Sequence, residues 1–336
     1  MKQRIIAGII LVLSILFFYF IIIPVLNIPQ FIESLKSTDL FLISVAVIIV
    51  LISNSAAAMR WSVILKEVGA ERSACFSNAF GIFSLGQIAG LVVPSRVGNY
   101  TKIPLVMKLD TLSLESGLAA VNAETIVDMI YICCAGILSL LIVSVFMSSQ
   151  FFLSAIIIVI IIISLITALI VFWKIQSFQG TYGNLRNLSS TSDTGIFVKI
   201  PATVLGALYE LIVSTREIFY KKVIITKLGI YTLVIQMLGV IGFLLVIEST
   251  HTTLPLIYVF AILTLSFLVG IISLIPGGLG ASDLSMIVLL ENAGIALPVA
   301  TNITLLWRCA MYIPILTVSS LFLIKIQFFS QKKTGY

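Results

Sequence analysis

Glu124 and Asp128 sit four residues apart within a long apolar run, and Arg308 interrupts another. Four-residue spacing puts both carboxylates on one face of a helix. Charges held at bilayer depth are costly and face a partner, a cavity or a substrate. Two further ionisable residues, Arg96 and Asp283, border places where an apolar run is broken. Together these residues are suited to holding a polar or charged group inside a hydrophobic medium. They are poorly suited to catalysis: the chain has no Gly-rich phosphate loop with a following lysine and no His-Glu-x-x-His. Its single histidine, His251, falls in an outer loop, which leaves no serine triad. No acidic pair stands in a soluble loop where a metal and a nucleotide-sugar would bind. The expectation is therefore a non-enzyme with no catalytic residue, metal or cofactor.

The two breaks are alike. One reads Pro94-Ser95-Arg96-Val97-Gly98 and the other Pro276-Gly277-Gly278-Leu279-Gly280. Proline lacks an N–H and glycine adds backbone freedom, so both stop helices. A helix stopped inside a bilayer is tolerated only where its open backbone is buried in protein or lines a wet cavity. After each break a new helical pattern begins. Asn99 or Thr101 is expected to cap the first, with Pro104 in its opening turn, and Ser282 the second, with Asp283 in its opening turn. Free N–H groups and the positive dipole end at each start favour an anion. The guanidinium of Arg96 adds a planar fork suited to phosphate. The expected substrate-binding set is Arg96, Gly98, Glu124, Asp128, Gly277, Gly278, Gly280, Asp283 and Arg308, with Pro94 and Pro276 as the breaking residues.

These residues need elements to position them, and composition fixes the kind. Of 336 residues, 60% are hydrophobic and 10% charged, with a mean hydropathy of +1.20. The chain is expected to be an all-α polytopic membrane protein and a single integral membrane domain. Six full spans are predicted at 5–23, 40–58, 113–147, 151–173, 227–247 and 300–324. Segments 75–110 and 256–297 carry the breaks and are predicted to be re-entrant hairpins. With the N-terminus inside, this arrangement puts all of the 20 basic residues but Lys36 and Arg308 on the inner side. The net charge of +6 is then explained by orientation, in a cytoplasmic membrane with both termini cytoplasmic. The loop 174–226 is read as cytoplasmic, and 204–222 as an amphipathic helix on the inner leaflet. Arg60-Trp61 is read as an interfacial anchor, and Cys75, Cys133, Cys134 and Cys309 as buried free thiols.

Units 40–147 and 227–324 repeat the order span, hairpin, span in opposite orientation, an inverted repeat that puts a substrate where the two breaks meet. Counting 1.5 Å per residue from the interfaces places Glu124 and Arg308 roughly 15 Å deep. Arg308 is accordingly expected to pair with Glu124 or Asp128. Gly86 and Gly90 allow close helix packing, either internal or in a homodimer.

Four blocks carry a family resemblance over nearly the whole chain. Arg60-Trp61 looks like an Arg-Trp pair after an early span. Residues 91–98 look like a Pro-Gly-Arg-x-Gly-Glu block, and Glu124 to Asp128 like Glu-Arg-x-x-Asp. Residues 275–283 look like Pro-Gly-Gly-x-Gly-x-x-Glu, with Arg308 where a downstream arginine is expected. In this order they resemble the membrane domain of the lysylphosphatidylglycerol synthases, a flippase-like family. Asn99, Thr125 and Asp283 depart from the usual Glu, Arg and Glu, which bears on the headgroup more than on the fold. The resemblance implies movement of lipids between leaflets. The soluble aminoacyl-transferase of the namesakes and the glycosyltransferase of other members are not found in these residues. A lipid translocase is the leading expectation, with membrane lipids as partners and no nucleic acid. Its substrate would be an anionic or aminoacylated phospholipid, or a polyprenyl-phosphate-linked glycan. A membrane-embedded transferase acting on a lipid phosphate, a secondary transporter of a small solute, and a scaffold are the alternatives.

Overall fold

The computed structural model describes residue 32 and residues 36–92, 95–146, 218–219, 221–273, 275 and 277–333. The expected spans 5–23 and 151–173 lie outside them, as do Pro94, Pro276 and most of the amphipathic stretch 204–222. Among the described residues the fold is all-helical, with no strand. The helices are α1 (Leu40–Glu67), α2 (Phe76–Val92), α3 (Lys102–Leu109), α4 (Leu114–Phe146), α5 (Lys222–Glu248), α6 (Leu256–Ile272), α7 (Ala281–Asn292) and α8 (Leu297–Lys333). A 3-10 segment, Ser95–Thr101, joins α2 to α3.

Helices α1, α4, α5 and α8 are long and apolar enough to cross a membrane, and they contain the predicted spans 40–58, 113–147, 227–247 and 300–324 in whole or nearly so. Asp39 starts α1 by accepting from the N–H groups of Phe41 and Leu42. Helices α2 and α6 have 17 residues each. At about 25 Å they fall short of roughly 30 Å of hydrocarbon, as expected of half-helices.

Both broken segments return to where they began. Asp110, at the end of α3, accepts from the N–H groups of Arg72 (3.0 Å) and Ser73 (2.7 Å), which precede α2. In the second segment, the start of α8 and the end of α5 meet at one place. Asn302 donates to Thr38 (3.2 Å), and the adjacent Asp39 N–H donates to Ser249 O at 2.8 Å. The latter bond and the Lys221–Glu67 pair (2.6 Å) tie opposite ends of α1 and α5, so these two helices run antiparallel along their length.

Two apolar cores result. One gathers Phe243, Ile262, Leu268, Leu290 and Trp307 toward the Thr38 end. The other gathers Trp61, Ile64, Leu65, Ile82 and Leu228 toward the Glu67 end. Polar residues collect between them: Ser53, Asn54 and Arg60 on α1, Glu124 and Asp128 on α4, Thr232 and Gln236 on α5, Arg308 and Tyr312 on α8. All lie roughly 15–30 Å from the start of their helix, a belt at mid-depth. All four cysteines are free, but only Cys133 is buried; Cys134 and Cys309 are exposed on their helices, and Cys75 is exposed just before α2.

Candidate functional site

The breaks meet. Gly277 N–H donates to the carbonyl of Gly90 at 3.0 Å, tying the second break to the last turn of α2. Gly98 folds the 3-10 segment against the same turn; a Cβ there would lie 2.3 Å from Gly90 N. Gly277, Gly278 and Gly280 have φ of 62°, 64° and 85°, conformations that side chains with a Cβ rarely adopt. Gly90 and Gly98 thus serve contacts within the chain.

Helix α7 begins at this junction, and its N-cap is Gly280, where Ser282 was expected. With no side chain at the cap, Asp283 reaches back and its Oδ2 accepts from Gly280 N–H at 2.9 Å. Ser282 lies inside the helix and donates to Gly278 O. At α3 the residue before the helix is Thr101, which makes no side-chain cap; its hydroxyl donates to Gly98 O instead. Asn99 lies in the 3-10 segment.

Arg308 does not pair with Glu124 or Asp128. Its Nε donates to Asp283 Oδ1 at 2.6 Å, Nη1 to Tyr312 (2.6 Å) and Gly277 O (3.4 Å), and Nη2 to Ser282 Oγ. The guanidinium fork is therefore spent on the second break, because Asp283, tethered by its cap, is already held within reach. Arg308 joins α8 to the segment that must fold back beside it.

Glu124 and Asp128 take a different arginine. Arg60 is 4% exposed, and Trp61 1%, so this pair is no interfacial anchor. Arg60 Nη1 donates to Asp128 Oδ1 (2.6 Å) and Thr232 (2.8 Å), while Nη2 approaches Glu124 Oε1 at 3.4 Å. The physical reason is depth: α1 continues to Glu67, so Arg60 lies about two turns inside its end.

Lys102, assigned from the sequence to the inner loops, is fully buried. Its Nζ lies 2.6 Å from Glu124 Oε2 and over the rings of Trp61 (4.7 Å) and Phe83 (5.2 Å). A desolvated ammonium needs such partners. Gly86 makes room for it, since a Cβ there would fall 2.6 Å from Lys102 Cε. The helical spacing of Lys102 with the apolar Ile103 and Val106, which share the buried face of α3, was a partial signal. Thr232 and Tyr312 gave no comparable signal. The backbone of Arg96 lies in the 3-10 segment.

A cavity of about 360 Å³ occupies the polar belt. Arg60 and Asp128 line it from one side, Arg308, Tyr312 and Ser282 from the other, with Gly90, Gly277 and Gly278 at the junction of the breaks. Asn54, Gln87, Asn99, Gln236 and Ser266 add neutral polar groups. Three lining residues hold buried polar atoms without a partner: Asn54 Nδ2, Arg60 Nε and Ser266 Oγ. Each is able to donate a hydrogen bond, so the wall is suited to a ligand rich in acceptors.

Residues 5–319 match the family model of the lysylphosphatidylglycerol synthase TM region. The chain belongs to this family. A UPF0104 membrane protein of Methanothermobacter thermautotrophicus is similar to it, with 25% identity over 292 residues that cover 82% of each chain. No solved structure matches it. Membership and the four crossing helices make it a multi-pass membrane protein related to lipid-associated ones.

Proposed function

We propose that the protein is a lipid translocase, passing a phosphate-containing headgroup between leaflets through the mid-depth cavity while the tails stay in the bilayer. The observation that carries this reading is the cavity itself, lined by Arg60 and Arg308 where two broken segments touch. A guanidinium suits phosphate, and Arg60 keeps its Nε without a partner at the cavity while Arg308 holds the second break beside it; open backbone at membrane depth is found beside cavities and pathways. The antiparallel α1 and α5 and the two returning segments support an inverted repeat, whose halves would expose the cavity to each side in turn. Lipids in the cell membrane are the partners of this reading, and cytoplasmic termini its orientation. The family name refers to a synthase, and a membrane-embedded transferase acting on a lipid phosphate is the alternative reading.

The test is leaflet exchange of tail-labelled phospholipids in proteoliposomes, beside Arg308→Ala. Headgroup-selective exchange that is lost in the variant is expected. Absence of exchange by folded protein, or a variant as active as the parent, would sink the reading. A chemically altered lipid after incubation would replace it with the transferase.

A further inference from the structure

Carboxamides line the cavity from four elements: Asn54 on α1, Gln87 on α2, Asn99 in the 3-10 segment and Gln236 on α5. Asn54 Nδ2 is buried without a hydrogen-bond partner. Among the described residues, no side-chain hydrogen bond engages Gln87, Asn99 or Gln236 either. Polar groups at bilayer depth are costly unless paired. No contact within the fold accounts for these four, so their partners are to be sought in what the cavity holds.

Two of them hold equivalent places. Asn54 is the fifteenth of 28 residues in α1, and Gln236 the fifteenth of 27 in α5. The two helices are antiparallel, and the Ser53 hydroxyl donates to Ile235 O at 3.1 Å, one residue before each carboxamide. Asn54 and Gln236 therefore stand at one level, at the midpoint of both helices. A headgroup arriving from either leaflet meets the same pair at the middle of its path.

A carboxamide offers two N–H donors and a carbonyl acceptor. A phosphate oxygen uses the donors alone, and an ammonium the carbonyl alone. A hydroxyl donates once and accepts twice, so neighbouring hydroxyls use both ends. The phosphate of the same headgroup is left to the unpaired Nε of Arg60, and the unpaired Ser266 hydroxyl adds a further donor. The volume of about 360 Å³ is near the lower end for small-ligand sites, roughly 300–1,000 Å³, which suits a headgroup without its tails.

We infer that the cavity selects a polyhydroxylated headgroup, such as glycerol, inositol or a sugar on a phosphodiester, and that Asn54 and Gln236 read its hydroxyls at the midpoint. This rests on the translocase reading. A site that pairs hydroxyls rejects analogues without them, because its own polar groups are then left unpaired. An ethanolamine headgroup fails at Asn54 Nδ2, which needs an acceptor where the ammonium brings only donors.

The experiment compares tail-labelled phosphatidylglycerol and phosphatidylethanol in proteoliposomes of the full chain. Both are phosphodiester anions, and only the first carries free hydroxyls, so charge is held constant. Phosphatidylglycerol and phosphatidylinositol are expected to exchange at least about tenfold faster than phosphatidylethanol and phosphatidylethanolamine, the effect of leaving a buried polar group unpaired. Asn54→Leu and Gln236→Leu are each expected to bring the ratio of phosphatidylglycerol to phosphatidylethanol exchange toward one. They are made separately, so that if one fails to fold the other decides. Equal exchange of these two lipids by the parent overturns the selectivity and leaves the translocase standing. A folded variant that keeps the parent's ratio overturns the role of that residue. Uptake of free glycerol phosphate or inositol phosphate without lipid exchange assigns the same chemistry to a soluble ligand and overturns the lipid. No movement of lipid or solute by the parent overturns both readings.

Discussion

The N–H of Gly277 donates to the carbonyl of Gly90 across 3.0 Å, so the two interrupted segments touch backbone to backbone. No side chain comes between them at this point. A helix end buried in a membrane must satisfy its carbonyls within the protein, and here each interruption helps satisfy the other. The cavity wall is built from this contact, so changes in the seating of one segment are felt by the other.

Gly98→Ala tests that seating. The added Cβ would lie 2.3 Å from Gly90 N, against backbone that no rotamer change can move aside. Overpacking of this kind costs about 1–3 kcal/mol. The expected outcome is a lowered melting temperature in detergent together with loss of lipid exchange. An unchanged melting curve would mean that the 3-10 segment stands off from α2.

Lys102→Met leaves Glu124 with Arg60 at 3.4 Å as its remaining cation among the described contacts. Removing one partner of a buried pair costs about 3–5 kcal/mol, whereas replacing both partners by apolar or neutral groups costs far less. Lys102→Met alone should therefore melt well below the parent, and Lys102→Met combined with Glu124→Gln should recover much of the loss. Additive effects in thermal unfolding would show that the two residues do not interact.

The sequence made the scaffold legible because its signals are long and redundant. Four apolar runs with their end charges, and two Pro/Gly interruptions, leave little choice of element. Pairing was less legible. By depth Arg308 had Glu124 and Asp128 as its expected partners, and its actual pairing depends on helix rotation and on the Gly280 cap that brings Asp283 to it. Arg60 was read as terminal because a hydropathy pattern ends where charges begin, whereas the helix itself runs on to Glu67. Lys102 was misplaced for the same reason. Its burial follows from Gly86, Trp61 and Phe83 meeting around it, which is tertiary information.

Arg308→Lys separates charge from geometry. Lysine keeps the positive charge, but a single ammonium has no planar fork to span Asp283, Ser282, Tyr312 and Gly277 O together. The variant should fold, since Asp283 keeps a cation and its cap. Its lipid exchange should fall at least about tenfold, the effect of losing one charge-assisted hydrogen bond. Full activity in proteoliposomes would reduce the role of Arg308 to neutralising Asp283.

Asp110 gives the first broken segment a pH dependence that is separate from the cavity. Its carboxyl is held below the usual carboxylate range. Burial works in the opposite direction and is outweighed by the N–H groups of Arg72 and Ser73 donating to the carboxylate and by the Arg72 charge. With a depressed folded value, the stabilisation is complete above the ordinary aspartate value of about 3.9 and is lost as pH falls through the lower folded one. Acidification through that window should therefore loosen the closure between the end of α3 and the residues before α2. Asp110→Asn should lower the melting temperature at neutral pH and flatten its decline in acid. The measurement is melting temperature against pH for the two proteins in the same detergent. Parallel curves would show that Asp110 contributes nothing to acid sensitivity, and the segment would then be closed by packing alone.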